Sequence, residues 1–350
     1  MTISVRDLSD ADGEHNRQLI QAALDTHGSV TLPSGRVPVT GGLVLAAAAR
    51  LSGSRNTVLA ATAASAQPVV HILGPDAHLS DLTITQPTSK PGPHDGARFT
   101  AVTIGDYLYP DAPIWTDGVS LRRIRIQRPA QCAANSIAIM GAVRRTSLCD
   151  IEVTGGGTGL AVHWGAIATS VSEITGPSYH PHDLRIKRLT VRDAFEAFYL
   201  SSVHDVLVRG FHADNVEIGF RLLPGDNADR YHEDPEASQV SQRISVRGGR
   251  IRWRGIYGIR VAGWGRSEVD RSLRSLPYQR VAVTDCDLTA IASPPAAAST
   301  TRASVVLESA EGVHFSGIAI RGADVTEATI DGRATSLAEV GPVTVPLRRR

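Results

Sequence analysis

Histidine, tyrosine and arginine recur in this chain at places where they could move a proton beside an anion. His163 stands in Gly159–Trp164 (GLAVHW) and Tyr199 in Ala197–Ser202 (AFYLSS). Arg221 and Arg260 hold the matching place in Gly219–Pro224 (GFRLLP) and Tyr257–Ala262 (YGIRVA). An imidazole titrates near neutral pH, so His163 or His182 would act as general base. Tyr199 or Tyr179 would supply the proton, and Arg221 and Arg260 would hold a carboxylate and stabilise an enolate. Asp183 follows His182 directly and completes the catalytic candidates.

A wider set surrounds them. Trp164, Tyr179, Tyr231 and Trp264 could stack on sugar rings, since an aromatic face is apolar with a polar edge. His180, Asp226, Glu233, Arg260 and Arg266 would add polar contacts. Two arginines on neighbouring strands repel, so a ligand anion or carboxylates such as Asp226, Glu233 or Asp270 must accompany them. A different chemistry stays open. Glycoside hydrolysis needs two carboxylates about 5–9.5 Å apart, and Asp183, Asp226, Glu233, Asp234, Glu268 and Asp270 are candidates. His163, His180, His182 and Asp183 could ligate a metal, but His-x-His alone is a weak signal. No cofactor is expected.

These residues need a scaffold that repeats. An apolar triplet spaced φ-x-x-φ-x-φ occurs at Leu79/Leu82/Ile84, Leu121/Ile124/Ile126, Leu148/Ile151/Val153 and Ile186/Leu189/Val191. It returns at Val208/Phe211/Ala213, Val246/Gly249/Ile251, Val283/Cys286/Leu288 and Phe315/Ile318/Ile320. The shortest interval, Leu189 to Phe211, has the length of one bare coil of a solenoid. A second strand separates successive triplets, from Ser136–Gly141 (SIAIMG) to Ala303–Glu308 (ASVVLE). Alternation turns Ile137/Ile139, Leu160/Val162, Phe198/Leu200, Phe220/Leu222 and Ile259/Val261 inward.

The pattern predicts an all-β chain, a single-stranded parallel β-helix whose coils share one core. A β-sandwich is the alternative, but hairpin turn pairs such as Asn-Gly are missing between the strands. Residues 14–26 read as the one amphipathic helix, with Asp12 at its N-cap. Residues 1–45 would then form the N-terminal cap and first strands, 69–322 the coils, and 323–350 a C-terminal cap. Outward positions stack as Ala138, Ala161, Tyr199, Arg221, Arg260 and as Met140, His163, Ser201, Leu223, Ala262. Insertions 165–181, 227–240 and 266–279 leave at one corner and would wall this floor.

The helix followed by Gly28–Leu45 (GSVTLPSGRVPVTGGLVL) resembles the entry segment of pectate-lyase-like and tailspike β-helices, and the repeats resemble the pectin-lyase-like superfamily as a whole. That resemblance implies a right-handed coil, an N-terminal capping helix, and action on an oligo- or polysaccharide. Ser178–Asp183 (SYHPHD) is similar to the Tyr-Gly-x-Asp-Pro-His-Asp element of mannuronan C5-epimerases. Tyr179, Pro181, His182 and Asp183 match, while His180 stands where that family has Asp. The resemblance favours a metal-independent lyase or epimerase, with a hydrolase and a non-catalytic glycan-binding spike as alternatives.

Bulk properties limit the partners. A formal net charge of +1 gives no general attraction to nucleic acid or membrane. Three cysteines, Cys132, Cys149 and Cys286, build no disulfide framework. No signal peptide or spanning segment is visible at the sequence level, which makes a cytoplasmic location the default expectation. A carbohydrate substrate is expected, and a homodimer or homotrimer stays open.

Overall fold

The computed structural model describes residues 1–4, 7–62, 67–86, 99–129, 132–170, 173–174, 178–225, 241–263, 278–291, 302–308, 310–322, 325–330 and 333–335. The triplet spacing has a direct conformational cause. The second residue of each x-x pair lies in the left-handed region: Asp81, Arg123, Asp150, Arg188, Gly210, Gly248, Asp285 and Gly317 all have φ between 53° and 62°. Such a residue bends the strand and shifts its parity, so apolar residues three apart both face inward. Asp carries the bend at little cost because it tolerates this region, while Arg there costs more.

Each coil therefore has a bent strand with two arms and a separate straight strand. The bent strands form a 17-stranded sheet and the straight ones an 11-stranded sheet, here called the second sheet. Pairing between coils is parallel, as in Leu121↔Leu148, Leu148↔Ile186, Ile186↔Val208, Val208↔Val246 and Val246↔Val283. In the second sheet the inward column runs Val102, Ile137, Leu160, Phe198, Phe220, Ile259, Val305. The two sheets enclose one apolar core that runs the length of the coil. Phe198 and Phe220 stack at 4.0 Å between centroids, and Phe211 meets both edge-on.

The helix spans Gly13–His27 and packs on the first coils through Ile20, Ala23 and Leu24. Asp12 caps it, accepting from the Glu14 and His15 backbone N–H groups at 3.1 and 2.9 Å. Coiling starts earlier than the triplets suggest, because Ser29–Thr31 already pairs with Arg50–Ser52. It also continues beyond Gly322: Val325–Ile330 extends the second sheet, and Arg333–Thr335 turns back antiparallel on it. Among the described residues no helix is long and apolar enough to cross a membrane, and Cys132, Cys149 and Cys286 form no disulfide.

Candidate functional site

Strand pairing sets the outward column of the second sheet in the order His71, Thr103, Ala138, Ala161, Tyr199, Arg221, Arg260, Val306. His163 pairs with Met140 in the next column. The first half of this face is closed. Ala138, Ala161 and Met140 are buried. Gly165–Ile167 pairs with Leu108–Tyr109 and with Ser178–Tyr179 as a small sheet against it. The Tyr109 hydroxyl donates to the Met140 carbonyl at 3.4 Å and accepts from the Ala142 N–H at 3.0 Å. Burial pushes its pKa up to about 12.

The accessible part of the face begins at His163 and Tyr199. Their ring centroids are 6.1 Å apart, and His163 also contacts Tyr107 at 5.4 Å. The Arg221 guanidinium lies over the Tyr199 ring, 4.5 Å from its centroid, a favourable cation–π geometry. Arg221 donates through Nε and Nη2 to the two oxygens of Glu196, at 2.7 and 2.9 Å. Glu196 has no exposed surface and accepts a further bond from Thr158 Oγ1 at 3.2 Å. Burial pushes its carboxyl up to about 7, against the opposing pull of Arg221.

One coil on, Arg260 repeats the arrangement. Its Nε donates to Glu308 at 3.0 Å, and its guanidinium lies 5.9 Å from the Tyr257 centroid. Both arginines thus spend their side edge on a carboxylate. Among the described residues Arg221 Nη1 carries no hydrogen bond, so Arg221 keeps donors for a further oxyanion, whereas Arg260 also bonds the side chain of Tyr257. The accompanying carboxylates are Glu196 and Glu308, where the sequence points to Asp226, Glu233 or Asp270. Glu196 was missed because it shares the parity of inward Phe198 and Leu200. The alternation itself was the signal: a lone Glu at an inward position requires a buried partner.

The structure corrects several candidates. Trp164 and Tyr179 are only 2% and 3% exposed and cannot offer a ring face to a sugar. Trp164 packs against Tyr107 at 4.8 Å, and Tyr179 lies between Tyr109 and Trp115. His180 is fully buried and bonded to Ser178 Oγ at 2.8 Å. Apolar contact outweighed the loop position that suggested exposure. His182 is 8% exposed and starts a strand of the bent sheet, stacked on His204 at 4.7 Å. Asp183 is a bend residue that bonds His182 Nδ1 at 3.0 Å. His182 and Asp183 therefore belong to the corner beside the floor, with Trp115 and Arg144. Asp226, Tyr231, Glu233, Trp264 and Arg266 lie outside the described residues, as do Asp234, Glu268 and Asp270. Among the described residues no cluster of three metal-ligating side chains forms.

No family model matches the sequence, and no curated protein matches it. Solved structures do. The chain is similar to an endo-xylogalacturonan hydrolase from Aspergillus tubingensis, with TM-score 0.53 and 9% identity over 99% of each chain. It is also similar to a surface adhesin of Streptococcus pneumoniae, with TM-score 0.50 and 14% identity over 100% of this chain and 90% of that one. The A-module of a mannuronan C-5 epimerase from Azotobacter vinelandii aligns at TM-score 0.46 and 15% identity, over 95% and 93% of the two chains. The protein has the right-handed parallel β-helix fold.

Proposed function

We propose that this protein is a carbohydrate-active enzyme whose glycan lies along the outer face of the second sheet, and that it abstracts a proton α to a uronate carboxylate. The observation that carries this reading is Arg221: Glu196 takes its Nε and Nη2 and the guanidinium lies over Tyr199, while Nη1 has no partner among the described residues. An arginine held in this way is preorganised for a carboxylate, and needs no rearrangement as enolate charge develops. His163 lies beside Tyr199 and is the base. It takes the ring proton, and the freed electron pair moves into the carboxylate as an enolate. In an elimination the pair then expels the glycosidic oxygen, which receives the Tyr199 proton. In an epimerisation Tyr199 returns a proton to the opposite face of the same carbon. Arg260 would hold a neighbouring sugar.

A second reading, a glycan-binding protein without turnover, draws support from the carboxylates that already neutralise both arginines. Incubation with polyuronates and neutral glycans separates the two. New ultraviolet absorbance on polyuronates identifies elimination, and uptake of solvent deuterium without cleavage identifies epimerisation. Both must vanish in His163→Ala and Arg221→Ala. Reducing sugar released without absorbance sinks the proposal in favour of hydrolysis, and binding without product supports the second reading.

A further inference from the structure

The bent sheet carries a row of cations that the site on the second sheet does not use. Pairing aligns Arg122, Cys149, Lys187, Arg209 and Arg247 in one outward column of the first arm. Arg185 precedes Lys187 by two residues on the same face, and all five cations are exposed. Coils stack about 4.8 Å apart, so the charges form a line interrupted only at Cys149.

Several charges beside the bends are paired. Opposite charges meet between coils in Arg123–Asp81, Arg188–Asp150, Arg243–Asp205 and Arg252–Asp214. Among the described residues Arg122, Arg185, Lys187 and Arg209 have no ion-pair partner, and Arg247 meets only Ser245 Oγ, at 3.1 Å. No described outward position of this arm, from His78 to Ser316, is Asp or Glu. Asp81 and Asp150 feel the charge of Arg122, but each is already held at both oxygens by another arginine. Like charges on adjacent strands destabilise a sheet, and no described residue supplies this row with a counter-charge.

We propose that this column is a second binding site, which takes a linear acidic glycan with its carboxylates along the cation row. The coil spacing is close to the length of one pyranose in an extended chain, so carboxylates on successive sugars can meet successive coils. The choice of a glycan over a nucleic acid rests on the glycan reading of the second sheet. The two surfaces use different residues, so one can fail without the other.

Fluorescence anisotropy of the full chain with labelled polygalacturonate, labelled oligothymidylate and neutral dextran over a salt series tests it. The wild type is expected to bind polygalacturonate and to weaken as salt rises. The triple variant Lys187→Ser, Arg209→Ser, Arg247→Ser should bind about tenfold or more weakly, with a shallower salt slope. A charge-preserving triple, Lys187→Arg, Arg209→Lys, Arg247→Lys, should bind like the wild type. Loss in the serine triple with no turnover by the wild type sustains this site and removes only the catalytic reading. Polymer binding retained by the serine triple but lost in Arg221→Ala overturns this site and leaves the other standing. Oligothymidylate bound as tightly as polygalacturonate at equal charge overturns the glycan assignment.

Discussion

Glu196 decides how Arg221 behaves, because it is the buried partner that fixes one edge of the guanidinium. Burial raises its carboxyl to about 7, whereas the unfolded group releases its proton near 4.5. The folded chain thus holds more protons than the unfolded chain between those values. Its stability from this group is complete below pH 4.5 and is lost as pH rises through about 7. Glu196→Gln cannot ionise, so melting temperature should fall less across that window than in the wild type. Equal pH slopes in the two proteins would exclude Glu196 ionisation as the source. Tyr199 offers a second separation at this scale. Tyr199→Phe keeps the ring under Arg221 and removes only the hydroxyl. Loss of the proton donor should lower kcat by roughly 10²–10⁴-fold, with KM little changed. A loss confined to KM would make Tyr199 a stacking residue alone.

At the level of the strand, the left-handed bend is the element that makes this sequence readable. It accounts for φ-x-x-φ-x-φ, and with ordinary alternation it gives the true register of Tyr199, Arg221 and Arg260. Periodicity has no hold on the loops, so the burial of Trp164, Tyr179 and His180 was hidden until the small sheet at Gly165–Ile167 placed them. It also failed at Val325–Ile330, where the straight strand persists without a following triplet. Two neighbouring glycines test the bend. Gly248 has φ +62° with open space around its α-carbon. Gly248→Val should therefore cost about 1–2 kcal/mol from backbone conformation alone, and Gly248→Asn distinctly less. At Gly249 the backbone is ordinary and the space is not: an added Cβ would stand 2.0 Å from the Phe211 ring. Gly249→Ala should cost about 1–3 kcal/mol by overpacking, and Phe211→Leu in the same chain should recover part of it. Denaturant melts measure both, and no recovery in the double variant would place the strain elsewhere.

Across the whole molecule, strand pairing joins each coil to its neighbours, so stability is close to a sum of coil and interface contributions, with the Tyr278 hydroxyl, which donates to the Leu200 carbonyl at 3.4 Å, as a contact of longer reach. The chain from Thr190 to Phe211 is one bare coil, since Thr190 pairs with His212 and Lys187 with Arg209. Excising residues 190–211 would join Leu189 to His212 at the bend. Leu184 and Ile186 would then face Ile244 and Val246 in place of Val206 and Val208, which are also buried apolar side chains. Phe220 would rest on Leu160 where it now rests on Phe198. The cation row would lose Arg209 and bring Lys187 beside Arg247, while the second sheet would lose Glu196 and Tyr199 together. The shortened chain should keep a β circular-dichroism spectrum and a cooperative melt at lower temperature. It should have no activity on polyuronates and should still bind them in a salt-dependent way. A chain that unfolds outright would show that this coil is coupled to the array beyond its nearest neighbours. Retained activity would remove Tyr199 and Glu196 from the chemistry.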